Sequence, residues 1–190
     1  MKNVLSKCLA LVAVVAFATP AMAESDVKSG PKDGSRLGAF TVTKVAGCES
    51  DGVEAGKPLC YRCKNGDRPQ VMVFTRTIDG KVGELLKKLD QAVADHEGDE
   101  LRVFVNILDS DKDAARAKAE KFAKSLNVKN IPFVVPKDFK TGPRSYGINK
   151  KAEVTVTMAN ESTVKGNVVA AKADALDIAA VLRQVETMLN

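Results

Sequence analysis

Apolar residues recur along this chain with two periods, and the switches between them mark out its elements. The continuous run Val71, Met72, Val73, Phe74 predicts a strand buried on both faces. Val82, Leu85, Leu86, Leu89 and Val93 follow at helical spacing, giving an amphipathic helix expected to end near Gly98. A second strand is predicted at 101–107. Asp109, Ser110 and Asp111 then offer a cap for a helix whose apolar face is Ala115, Ala119, Phe122 and Leu126, with Asn127 as its stop. Its other face, with Arg116, Lys118, Lys121 and Lys124, reads as solvated. A short strand is expected at 131–135 and a loop at 137–143. Val154, Val156 and Met158 alternate with Thr155 and Thr157, and 160–163 turns this strand into a second run at 164–169. Asp174 is expected to cap a last helix with the face Ile178, Val181, Leu182, Val185 and Leu189. Upstream, Phe40, Val42 and Val45 suggest a short strand ending at Gly47, followed by a loop at 48–58. Parallel crossovers followed by an antiparallel hairpin predict an α/β fold, a mixed sheet with helices on both faces.

The first 23 residues follow a different logic. Lys2 and Lys7 precede an apolar run at 9–17, and Ala21 and Ala23 place small residues where a leader peptidase cuts. This predicts a signal peptide over 1–23, cleaved after Ala23, and a periplasmic or secreted protein. The apolar run is shorter than the ~20 residues of a membrane span, so no stable membrane anchor is expected. Residues 24–36, polar with Gly, Pro and Ser, read as a disordered lead-in to one domain over 37–190. The formal charge of +5 falls to about +3 once Lys2 and Lys7 leave, too little to imply nucleic acid. With no Trp and 5% aromatic residues, a base-stacking surface is also excluded.

Candidate chemistry is confined to the cysteines. Cys8 leaves with the leader, so Cys48, Cys60 and Cys63 remain, an odd number for an exported chain. Cys60-Tyr61-Arg62-Cys63 stands just before the first buried strand. It reads as a redox dithiol whose thiolates Arg62, Lys64 and Arg68 would favour. It reads equally as a structural disulfide, within the pair or from Cys48 to one of its members. A third reading is a soft metal held by Cys48, Cys60 and Cys63, although a closed zinc site wants four ligands. The single histidine, His96, extends an apolar helix face and is expected to pack or cap rather than ligate, so no metal site is assigned. No phosphate loop, G-x-S-x-G elbow or H-E-x-x-H is present, and no cofactor is expected. Asp109, Asp111 and Asp113 lack the Gly and Glu of a calcium loop. Residues 64–69 form a turn sequence, with Gly66 and Pro69, so both cysteines are expected in a loop with no helix N-terminus at either sulfur.

The element order, with Phe40-Thr41-Val42, the 71–74 strand, Ile131-Pro132-Phe133, Tyr146-Gly147-Ile148 and the 154–169 hairpin, resembles the thioredoxin-like superfamily. The resemblance is to its peroxiredoxin-like and thiol–disulfide-interchange branch, over about residues 37–190. It implies thiol–disulfide exchange with a protein or small-molecule disulfide, Cys60 attacking, Cys63 resolving and Cys48 a third thiol. Two departures stand against this. The family's reactive pair follows the first core strand, where this chain has Thr75-Arg76-Thr77-Ile78-Asp79. The family's cis-proline place falls near Ala152-Glu153. The alternative is a non-enzymatic binding or scaffold domain that keeps the fold and uses the cysteines as a staple.

Overall fold

A computed structural model describes residues 27–190. The signal peptide expected over 1–23 lies outside the described residues. Seven strands form one mixed sheet: β1 (Val42–Ala46), β2 (Pro58–Leu59), β3 (Gln70–Thr75), β4 (Arg102–Ile107), β5 (Phe133–Pro136), β6 (Val154–Asn160) and β7 (Thr163–Ala170). Their spatial order is β2-β1-β5-β4-β3-β6-β7. β3, β4 and β5 are mutually parallel, and the remaining pairings are antiparallel.

Four helices among the described residues pack with the sheet: α1 (Tyr61–Asn65), α2 (Gly80–Asp95), α3 (Lys112–Leu126) and α4 (Ile178–Leu189). The crossovers β3–α2–β4 and β4–α3–β5 advance across the sheet in the same direction. Crossovers of one hand therefore put α2 and α3 on one face. There Leu85, Leu89, Phe122 and Val181 of α2, α3 and α4 pack on Val73, Val105, Phe133 and Val156. The other face carries Met72, Phe74 and Phe104, covered by Leu37, Tyr61 and Tyr146. Helices thus lie on both faces, but unevenly. Among the described residues, the five-residue α1 and a single turn at Arg144–Tyr146 serve the second face.

Local signals set most element ends. Asp79 Oδ1 accepts the Val82 N–H at 3.1 Å and Asp111 Oδ1 accepts that of Ala114 at 2.8 Å, capping α2 and α3. Asn127 ends α3 in the left-handed region, as expected of it. Asp174 does not cap α4. It lies in a separate turn at Ala173–Ala175, and Asp177 accepts the Ala180 N–H at 2.8 Å instead.

The disordered lead-in is corrected over residues 27–36, which form a strap. Ser29 Oγ bonds Thr155 Oγ1 at 2.7 Å and accepts the Asn149 N–H at 2.9 Å. Asn167 Nδ2 donates to the Pro31 carbonyl at 2.8 Å, and the Gly34 N–H to that of Val164 at 2.9 Å. The strap covers part of the β7 edge, where unpaired backbone groups would otherwise face outward. Its anchors are backbone groups and small polar side chains, which leave no apolar period in the sequence.

α2 ends at Asp95, with His96 as its cap. His96 lies between two carboxylates, Nδ1 3.0 Å from Asp99 and Nε2 3.2 Å from Glu186. The hydrogen bonds to Asp99 and then Glu186 raise its pKa above the ordinary imidazole value. A raised folded pKa gives stability that is fully present below the unfolded value of ~6.5 and is lost as pH rises through the folded one. His96→Gln is therefore expected to melt below the parent at about pH 6, and level with it at about pH 9. Equal deficits at both values would remove the charge from this explanation.

Candidate functional site at the amino-terminal end of the parallel strands

The cysteine pair is built from the sheet edge inward. Leu59 of β2 pairs with Val42 of β1, and the chain leaves β2 at Cys60 in an extended conformation. Tyr61 then turns its ring under the sheet and stacks on Phe104, with centroids 5.6 Å apart. Burying that ring, worth roughly 2 kcal/mol, holds α1 in place. Gly66, at φ 63° and ψ −133°, ends α1 in a region only glycine enters readily, and its N–H donates to the carbonyls of Arg62 and Cys63. The expectation of a loop with no helix start at either sulfur is thereby overturned. Cys60 is the cap of α1, its Sγ accepting the Cys63 N–H at 3.1 Å. Tyr61 burial, which turn chemistry alone does not reveal, decides for the helix.

Cys60 and Cys63 are joined by a disulfide, their Cα atoms 5.2 Å apart. Cys60 is half-buried and Cys63 exposed. Cys48 is a free, buried thiol, so the disulfide from Cys48 to the pair is not the one formed. With the pair oxidised, the three-thiol ligand set for a soft metal is not available. Of the three expected cations, Lys64 is exposed, Arg68 pairs with Glu100 at 2.9 Å, and the Arg62 Nε is buried without a hydrogen-bond partner.

Cys48 is tied to α1 through a polar cluster that the sequence did not single out. Lys44 of β1, 3% exposed, donates from Nζ to the Cys48 carbonyl at 2.8 Å and to the Val53 carbonyl and Asp51 Oδ1, each at 2.7 Å. All three ammonium protons are thus satisfied. Asp51 in turn accepts from the Tyr61 hydroxyl and, at 2.8 Å, from the Val53 N–H. Burial, and then the hydrogen bond to Asp51, pushes the Tyr61 phenol far above its ordinary range, so it stays a donor. The available signal was Lys44 itself, two residues from Val42 and so on the same apolar face of β1.

The opposite end of the sheet, where the resemblance places reactive thiols, is filled differently. After β3 comes Arg76, whose N–H donates to Glu153 O at 2.9 Å, Nη1 to Lys140 O at 2.8 Å and Nε to Ala152 O at 3.3 Å. Lys118 donates to Arg76 O at 3.0 Å and pairs with Asp109 at 2.6 Å. The position is adjacent to Ala152-Glu153, yet among the described residues no peptide bond is cis and no cysteine stands there. β3 spans about 17 Å at ~3.3 Å per residue. The cysteine pair, before β3, and the Arg76 end are therefore separate places.

The architecture matches solved structures over about four-fifths of the chain. A protein assigned as the thiol:disulfide interchange protein DsbE of Chlorobium tepidum superposes with a TM-score of 0.61 at 15% identity, covering 84% of this chain and 99% of that one. Mycobacterium tuberculosis AhpC superposes at 0.58 and 14% identity, with 84% and 98% covered. The fold is thioredoxin-like. The pneumococcal exposed lipoprotein thioredoxin of Streptococcus pneumoniae, at 0.52 and 16% identity, covers 79% of this chain and is itself 99% covered. No protein-family model matches the chain, and no curated protein matches it in sequence. A thioredoxin-like sheet thus carries its cysteines at the amino-terminal end of the parallel strands, with Arg76 at the other.

Proposed function

We propose that this chain is an exported thiol–disulfide exchange protein acting through Cys60 and Cys63, on a protein or small-molecule disulfide. The observation that carries the reading is a closed disulfide between an exposed residue, Cys63, and a half-buried one, Cys60, whose Sγ accepts a backbone N–H at 3.1 Å. A substrate thiolate attacks Cys63 Sγ, the Cys60–Cys63 bond breaks, and Cys60 leaves with the electron pair as a thiolate accepting that N–H. A second substrate thiol then displaces Cys63, forming the substrate disulfide and leaving the protein as a dithiol. The steps reverse when a supplied dithiol drives reduction of a substrate. Export rests on the leader sequence and fits a compartment in which disulfides persist.

The staple reading is weaker on energetic grounds. A ring closed between residues three apart removes little unfolded-state entropy, roughly 2 kcal/mol by the chain-entropy relation. Linking Cys48 to Cys60 would close a longer loop and gain more, yet Cys48 is free. In the test, the purified exported form, starting at Glu24, is expected to reduce a model disulfide with a supplied dithiol. Cys60→Ser and Cys63→Ser should each abolish this while lowering the melting temperature by no more than about 8 °C. Activity surviving in both variants would refute the reading, a much larger thermal loss would favour the staple, and an exported form retaining residues 1–23 would refute cleavage.

A further inference from the structure

A second place near the cysteine pair is shaped to take a ligand. Between α1, the last turn of α2 and the Cys48 loop lies a cleft of about 530 Å³. Cys48, 9% exposed, lines it, its Sγ 3.7 Å from the Ser50 hydroxyl. Independently, Asn65 lines the same cleft. Asn65 is 7% exposed, and its side-chain amide hydrogen-bonds to no group among the described residues. An amide with no protein partner in the wall of a cleft is free to hydrogen-bond what enters it. A main-chain-like carbonyl or amide of a ligand is such a group.

The charged rim narrows the ligand. Lys64 has no ion pair among the described residues, while Arg68 and Arg102 share the single carboxylate of Glu100, at 2.9 and 3.6 Å. Glu97, on the same wall, has no ion pair among the described residues. Asp51 is already taken up by Lys44 and Tyr61. An amino-acid end, with carboxylate and ammonium together, complements this arrangement, and a thiol in the wall suits a disulfide in the ligand.

We propose that the cleft binds a small amino-acid-type disulfide and that Cys48 takes up one half of it. The Cys48 thiolate, its proton released to water, attacks one sulfur of the ligand. The ligand S–S bond breaks as the Cys48–S bond forms, and the other half leaves as a thiolate carrying the electron pair. Cys48 is oxidised to a mixed disulfide and the departing half is reduced. This goes beyond exchange at Cys60 and Cys63 and does not depend on it.

Cystine and cystamine, which differ only in their carboxylates, are the probes. With the Cys8→Ser chain and its Cys60–Cys63 disulfide intact, each is added at equal concentration and the adduct is located by peptide mass. The cystine-to-cystamine rate ratio at Cys48 is expected to be about tenfold higher in the folded chain than in the urea-unfolded chain. Lys64→Glu, an exposed change that leaves the fold alone, should remove most of that preference, and Asn65→Ala should reduce it further. The same ratio in folded and unfolded chains, a Cys48 inert to both probes when folded, or a preference unmoved by Lys64→Glu would each overturn the proposal. Loss of activity at Cys60 and Cys63 with this preference intact would overturn only the exchange reading.

Discussion

Lys44→Met is expected to destabilise the protein by about 3–5 kcal/mol, the range for breaking one side of a buried ion pair. Methionine matches the length of the lysine stem, so packing changes little and the loss is electrostatic. It strips the donor from Asp51 Oδ1 and from the Cys48 and Val53 carbonyls in one step. Asp51, its side chain only 11% exposed, would keep the Tyr61 hydroxyl and the Val53 N–H but no cation. Urea unfolding reads the loss as a lower midpoint at unchanged slope. Lys44→Met with Asp51→Asn removes both charges and should recover part of the deficit, since an unpaired buried charge is the costly species. A single-variant loss below about 1 kcal/mol would mean that Lys44 reaches water and that the cluster does not pin the Cys48 loop.

The parts of this protein legible in its sequence are those written by burial. Val71 to Phe74 and the period of Val82, Leu85, Leu86 and Leu89 mark β3 and α2, and the 109–111 run holds the cap of α3, because each signal is local. The hairpin of β6 and β7 was equally clear from alternation. Long-range polar contacts were not. The strap at 27–36 is held by Ser29 to Thr155 and Asn167 to Pro31, each more than a hundred residues apart in sequence. α1 was missed for a related reason. Gly66 and Pro69 argue for a turn, and the stacking of Tyr61 on Phe104, a contact distant in sequence, favours a helix before it. The site divided along the same line. The pairing of Cys60 with Cys63 was among the readings the sequence allowed. The Lys44–Asp51–Tyr61 chain and the unpartnered Asn65 depend on contacts that no spacing reveals.

In a chain whose Cys8 and Cys48 are replaced by Ser, Cys60→Ser is expected to accumulate a mixed disulfide through Cys63. Cys63→Ser is expected to form at least about tenfold less of it through Cys60. The resemblance to thioredoxin-like proteins gives the first cysteine of the pair the attacking role, but the geometry here divides the work the other way. Exchange needs the attacking sulfur to approach along the S–S axis, which favours the exposed Cys63 over the half-buried Cys60. The leaving sulfur is best where its charge is stabilised, and Cys60 Sγ accepts the Cys63 N–H at 3.1 Å. Both preferences point to the same polarity, with the covalent intermediate on Cys63 and resolution by Cys60. Incubating each variant with glutathione disulfide and measuring intact mass over time would separate the two. Adducts forming equally fast in both would mean that exposure does not decide, and a faster adduct in Cys63→Ser would restore the family's order. The polarity also sets what a partner must do. It has to reach Cys63, an exposed residue of α1 two positions from Tyr61, whose ring anchors the helix beneath the sheet. A flexible substrate segment carrying the disulfide is the kind that can reach such a residue.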